Sequence, residues 1–319
     1  MTQIRLFIIL GGIALLAGLA LWAGLPAIGR AFAAVGVDGF GLVVLIHVPL
    51  IALLGAAWWS IGGTNPRAAL PSFIAARLAR DSVAELLPFS QLGGFAAGVH
   101  VLSLTGIPAR AGARSLFADL LMEFFAKLPY AMAGLGLLIW LRPDSAVPSY
   151  LLLTLAVLAG VPLLIWLLLG LWRDALVRSV PPCLRRLVRR LGETRGLHSL
   201  LVLEEVGTSG LLHALCWALG GLEAWVTLRL MGMPVTVIEA LAIDSLVTSL
   251  RTFGFFMPAA LGVQEAAYVL ICGLFGLTPG HAMAFSLVRR ARDVLLGLIG
   301  LAVWQNLEVR RARQPVSFA

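Results

Sequence analysis

Ionisable side chains stand inside the most apolar parts of this sequence. In MAFSLVRRARDVLLGLIGLAVWQ, residues 283–305, Arg289, Arg290 and Arg292 precede Asp293. Arg289 and Arg290 lie four and three residues before that acid, so helical spacing lets either pair with it. Glu265 follows Pro258 and Gly262 in an otherwise apolar run. Asp119, Glu123 and Lys127 form an i, i+4, i+8 line. Glu85 comes just before Pro88, Gly93 and Gly94, and Arg251 just before Pro258. Such groups suit two kinds of chemistry. Arginines can bind an anion in a polar cavity while acids act as partners or proton carriers, or the charges can pair internally and lock helices together.

Covalent chemistry has little support. There is no HExxH, GxSxG, Walker A or CxxC pattern, so neither a metal, a cofactor, an ATP-driven engine nor an enzyme activity is expected. Cys183, Cys216 and Cys272 are odd in number and widely spaced, and read as free thiols. His213 and Cys216 share a helix face, but two ligands do not make a zinc site. His100 and His213 read as packed polar residues. Glu223, Arg229 and Glu239 lie near a helix end and read as interfacial.

The elements that position these groups belong to a membrane. The 319 residues are 60% hydrophobic and 13% charged, with a mean hydropathy of +0.96. A soluble domain is about 25% charged. Moving an ionisable group to the centre of a membrane helix costs about 2.5–3.5 kcal/mol on insertion scales, so each buried charge needs a reason. Lys127 is the only lysine, and the net charge of +8 comes from arginines clustered between apolar runs. That is the positive-inside pattern rather than a nucleic-acid surface.

The expected fold is an all-α polytopic membrane protein forming one integral domain. Six segments, 6–25, 40–60, 115–141, 149–171, 206–229 and 282–306, are long enough to span, given that about 20 apolar residues are needed. The first is too long for a signal-peptide core. Two more, 86–104 and 253–276, are broken by Pro and Gly and can be full spans or re-entrant hairpins. The organisation is then 1–60 for two spans, 61–171 for a first unit and its following span, 172–205 for a basic loop, 206–306 for a second unit and 307–319 for a tail. Arginines at 173–195, at 67–80 and at 310–313 place those regions, and both termini, in the cytoplasm. The stretches 66–87 and 181–193 read as amphipathic pieces lying on an anionic leaflet.

A pattern appears twice. Pro88 precedes Leu92–Gly93, and Pro258 precedes Leu261–Gly262. Gly106 and Pro108 then follow in one unit, Gly276 and Pro279 in the other, and each leads into a long charged helix. The charge bias gives the two units opposite orientations, an inverted repeat. Paired broken segments in such repeats point to a transport site. Broken backbone at membrane depth is tolerated only inside protein or beside a water-filled cavity, so both breaks should line a cavity.

LLPFSQLGGF, FFMPAALGVQEAAYVL, FGLTPGHAMAFSLVRRARDVLLG and LAVWQ resemble the flippase-like membrane family that includes the transmembrane region of lysylphosphatidylglycerol synthase. The nearest likeness is to its hopanoid-biosynthesis-associated branch, the HpnL-type proteins. The resemblance implies a bacterial inner-membrane protein that moves a lipid, hopanoid or phospholipid, with an integral-membrane enzyme or a scaffold for lipid biosynthesis as alternatives. Biosynthetic partner proteins are implied too, with anionic headgroups meeting the basic loop at 172–200. Carried over by position, it points to Pro258, Gly262, Glu265, Arg289, Arg290 and Asp293, and to Pro88, Gly93 and Gly94. Many relatives carry an acid just after the first Gly pair, where this chain has Phe95 and Ala96, so a symmetric two-acid mechanism is not expected. Lysyl transfer is not expected either.

Overall fold

The computed structural model describes residues 25–63, 69–86, 90–143, 203–252, 260 and 262–313. These form eight helices and, among the described residues, no strand. They are α1 (Leu25–Gly62), α2 (Leu70–Leu86), α3 (Ser90–Leu104), α4 (Ala109–Leu141), α5 (Leu203–Leu230), α6 (Val237–Arg251), α7 (Val263–Leu274) and α8 (Pro279–Ala312). Gly36, at φ 62°, interrupts α1. The spans expected at 6–25 and 149–171, the basic loop, Pro88 and Pro258 lie outside the described residues.

The helices fall into two series of four. A long first helix is followed by two short ones and a second long one: 17, 15 and 33 residues in α2–α4, and 15, 12 and 34 in α6–α8. The turn between the last two members is the same in both. Gly106 N–H donates to the Ser103 carbonyl and Ile107 N–H to that of Leu102; Gly276 N–H donates to Gly273 and Leu277 N–H to Cys272. Both glycines have positive φ, 93° and 80°. This is the Schellman arrangement, in which a left-handed residue lets the chain satisfy the last helical carbonyls. Pro108 or Pro279 then opens the next helix, where a missing N–H costs nothing.

Packing follows the repetition across the two series. The first helices, α1 and α5, pack together. The short helix α2 lies on α8 as α6 lies on α4, and α1 meets α8 as α5 meets α4. Glycines set the close approaches. A Cβ on Gly134 of α4 would run into Ser245 of α6, and one on Gly300 of α8 into Ser82 and Leu78 of α2. The largest apolar core joins Leu138, Leu228, Ile243, Ile271 and Phe285 from α4 to α8, and a second core surrounds Trp58 and Phe73.

Three helical stretches, Phe32–Gly62, Ala109–Leu141 and Gly207–Leu230, are long and apolar enough to cross a membrane. They contain the spans expected at 40–60 and 115–141 and match the one expected at 206–229 to within a residue. The one expected at 282–306 lies in α8, which has 34 residues but carries the arginine cluster. The broken segment 86–104 is the second arm of a hairpin. Gly94 of α3 faces Arg80 and Ala84, and Gly98 faces Ala76 and Arg80, so α2 and α3 run antiparallel. An arm of 15 residues reaches about 22 Å, short of a hydrocarbon core about 30 Å thick.

This changes the reading of 66–87. The piece expected to lie on the leaflet is, over α2, a packed arm between α1, α3 and α8. Its Arg77 and Arg80 are buried, at 5% and 3% exposure. The physical reason is that their carboxylate partners sit on α4.

Candidate functional site

A cavity of about 460 Å³ lies among the helices, and every one of the eight contributes to its wall. Glu85, Glu123, Arg251, Arg289, Arg292 and Asp293 line it, as do Arg77, Arg80, Asp81, His47, Lys127 and Asp244. Charge at this density inside an apolar helix bundle is stable only when paired, and the pairs form two clusters.

The first cluster joins α2, α4 and α5. Arg77 donates to Asp81 at 2.9 Å and to Glu123 at 3.1 Å. Arg80 donates to Glu123 at 2.9 Å and to Asp119 at 3.4 Å. His213, from α5, meets the other oxygen of Asp119 at 3.1 Å, and both side chains are fully buried. The second cluster joins α6, α8, α5 and α1. Arg289 pairs with Asp244 and donates to the Tyr268 hydroxyl at 2.9 Å. Arg292 pairs with Glu223 and donates to Asp293 at 2.6 Å. His47, from α1, meets Glu223 at 2.6 Å. Each cluster holds two arginines, three carboxylates and one histidine.

The two are related by register with the sign reversed. Arg77 is the eighth residue of α2 and Asp244 the eighth of α6; Asp119 is the eleventh of α4 and Arg289 the eleventh of α8. The Arg77–Asp119 contact, at 3.8 Å, thus matches Asp244–Arg289 with acid and base exchanged.

Glu265 sits behind the wall, fully buried. One oxygen accepts from the Gly262 N–H at 2.7 Å, at the start of α7. The other takes Arg290 at 2.6 Å and the Ser286 hydroxyl at 3.4 Å. A carboxylate there answers the unpaired N–H groups and positive end of a helix. Gly262, at φ 81°, takes a backbone conformation that L side chains resist. Glu85 and Arg251, which end α2 and α6, pair with each other. They tie the ends of α2 and α6 together at the cavity wall.

Several expectations change. Arg289 and Arg290 do not pair with Asp293 along α8, where Arg292 takes that acid; their own partners come from α6 and α7. Glu223 is not interfacial but fully buried among His47, Arg289 and Arg292. Arg229 is exposed, and Glu239 caps α6 through Thr236, as their positions near a helix end suggest. His100 is exposed and bonded to Glu308 at 2.6 Å rather than packed. Gly94 is buried against Arg80, with Gly93 half-buried beside it. Cys216 and Cys272 are buried free thiols.

His47, Asp244 and the buried roles of Arg77 and Arg80 escaped the sequence reading. Matching the two units position by position would have exposed Arg77 against Asp244. Nothing local marks His47, one imidazole in an apolar run. Lys127 stands apart from the clusters. Its ammonium lies 4.8 Å over the Trp217 ring, and among the described residues no carboxylate forms a salt bridge with it.

The sequence profile of the lysylphosphatidylglycerol synthase TM region matches residues 9–300. The chain belongs to this family. The profile runs through both four-helix series and includes every residue of the two charge clusters. No curated protein matches the chain, and no solved structure does. As a member of the lysylphosphatidylglycerol synthase TM family it is a multi-pass membrane protein connected with lipid.

Proposed function

We propose that this protein moves a lipid within the inner membrane of a bacterium, passing the headgroup through the central cavity. One observation carries the reading: all eight described helices converge on a cavity that holds, among the described residues, paired charges and one cation, Lys127, outside those pairs. An anionic or hydroxylated headgroup can meet Lys127 and exchange for carboxylates around Arg289 and Arg292. A structural lock alone would need no open volume beside it.

The resemblance to hopanoid-biosynthesis-associated proteins favours a hopanoid as the cargo, moved toward the outer leaflet or outer membrane, with a phospholipid next. The two series are then inverted repeats about the cavity, with both termini in the cytoplasm and the loop at 172–200 against anionic headgroups. No covalent step is assigned to the chain. Proteins that make the lipid are its expected neighbours.

The test is lipid distribution in a deletion strain carrying wild type, Glu265→Gln or Arg290→Ala at equal membrane levels. Hopanoid or phospholipid held in the inner membrane, and released only by wild type, supports the reading. Normal distribution with both variants removes Glu265 and Arg290 from the path. A chemically altered lipid would indicate an enzyme, and tolerance of every cavity charge substitution a scaffold.

A further inference from the structure

The central cavity shares a wall with a second hollow. An outer groove of about 570 Å³ runs along α3 and α4, with Val99, Leu116 and Phe117 among its apolar lining and His100 and Ser103 bringing the polar atoms. Phe95 and Leu120 line both spaces. One face of Phe95 takes the Arg80 guanidinium, 5.1 Å from the ring centroid. Among the described residues, the wall shared by the charged interior and the apolar exterior holds two apolar side chains, Phe95 and Leu120.

The second half treats the same place differently. Phe95 lies 11 residues before Gly106, and Glu265 lies 11 before Gly276; Leu120 is the twelfth residue of α4, and Arg290 the twelfth of α8. The matched pair there is a buried ion pair, further bound by Ser286 and the Gly262 N–H. Separating Glu265 from Arg290 breaks a buried ion pair in a low dielectric, which is costly. Phe95 and Leu120 carry no charge, so parting them breaks no ion pair between them, and a hydrocarbon chain can take up their apolar contacts, since lipid tails are as apolar as the side chains.

We infer that a lipid whose headgroup occupies the cavity passes an acyl chain between Phe95 and Leu120 into the α3–α4 groove, while the matched side of the second half stays shut. The headgroup's place rests on the transport reading above; the tail's path rests on the shared wall and the register match. The occupant is a chain of the same amphiphile, because the groove meets the charged cavity at the wall that holds Phe95 and Leu120.

The test uses the full-length protein, purified and delipidated in detergent. The probe is phosphatidylglycerol with a photoactivatable diazirine in mid-chain; a diazirine-bearing fatty methyl ester serves as the probe without a charged headgroup. We expect phosphatidylglycerol to label α3 and α4 at the groove saturably, with unlabelled phosphatidylglycerol reducing the signal at least fivefold. The ester should label the groove no more than the outward positions Leu298 and Ile299. Phe95→Glu with Leu120→Arg copies the second half's pair, and should cut groove labelling at least fivefold while leaving Leu298 and Ile299 unchanged. Should that variant fail to fold, Val99→Trp fills the groove from outside the cavity and should do the same. Equal labelling by both probes, or groove labelling untouched by either variant, overturns the path. Vesicle transport of fluorescent phosphatidylglycerol reads the other proposal. Labelling without movement counts against transport, and movement without groove labelling against the path.

Discussion

Glu265 does two jobs with two oxygens, answering a helix start with one and Arg290 with the other. Removing one partner of a buried pair costs about 3–5 kcal/mol, mostly for the charge left behind, whereas removing both costs less. Glu265→Gln and Arg290→Gln should therefore each lower the melting temperature in detergent by more than the double variant does beyond the larger single one. Additive losses would mean that the two are energetically independent. Lys127→Met is expected to leave the melting temperature nearly unchanged while weakening phosphatidylglycerol binding several-fold, because its ammonium meets a ring rather than a carboxylate. Binding equal to wild type would remove Lys127 from the headgroup site. At this scale the sequence was half legible. Glu265, Arg290 and Arg292 announce themselves by standing in apolar runs, but their partners lie on other helices. Glu223, six residues from Arg229, looks like a helix-end charge until the bundle closes over it.

Elements meet where side chains are small. Gly134 and Gly300 let α4 reach α6 and α8 reach α2 at matched crossings. Gly300→Leu should disrupt the α2–α8 contact and lower stability by about 1–3 kcal/mol, the usual cost of overfilling a packed site. Gly136→Leu, where a Cβ meets nothing within 4 Å, is the control, and an equal loss in both would contradict the crossing. Near its end, α8 is held to α3 through Glu308 and His100. That hydrogen bond holds the Glu308 carboxyl below its usual range. Its contribution is present above the ordinary glutamate value and lost as pH falls through the lowered one. The melting difference between wild type and Glu308→Gln should accordingly shrink on acidification; a difference that grows would reverse the assignment. The helices themselves were readable from length, Pro and Gly. The hairpin was not, because Arg77 and Arg80 satisfy an amphipathic pattern equally well at a lipid surface and against Asp119 and Glu123.

Across the described residues, the repeat seen in Gly106–Pro108 and Gly276–Pro279 extends to four helices on each side, the same turn hydrogen bonds and exchanged packing. What no local pattern displays is the reversal of sign between matched positions, which appears only when helices are counted residue by residue. Asp244→Asn should destabilise the protein as strongly as Asp119→Asn, since each leaves an arginine short of a carboxylate. Similar drops in melting temperature would check the equivalence, and tolerance of one would break it. The reversal has a bearing on how the chain is made. Arg77 and Arg80 find their acids on α4, and Arg289, Arg290 and Arg292 find theirs on α5, α6, α7 and α8. These five arginines each have an acid in their own half, whereas Arg251 takes its acid, Glu85, from the other. As the ribosome delivers the N-terminal half first, Arg77 and Arg80 need no carboxylate that has yet to be translated, and the insertion machinery can release α2 and α4 with those two arginines already paired.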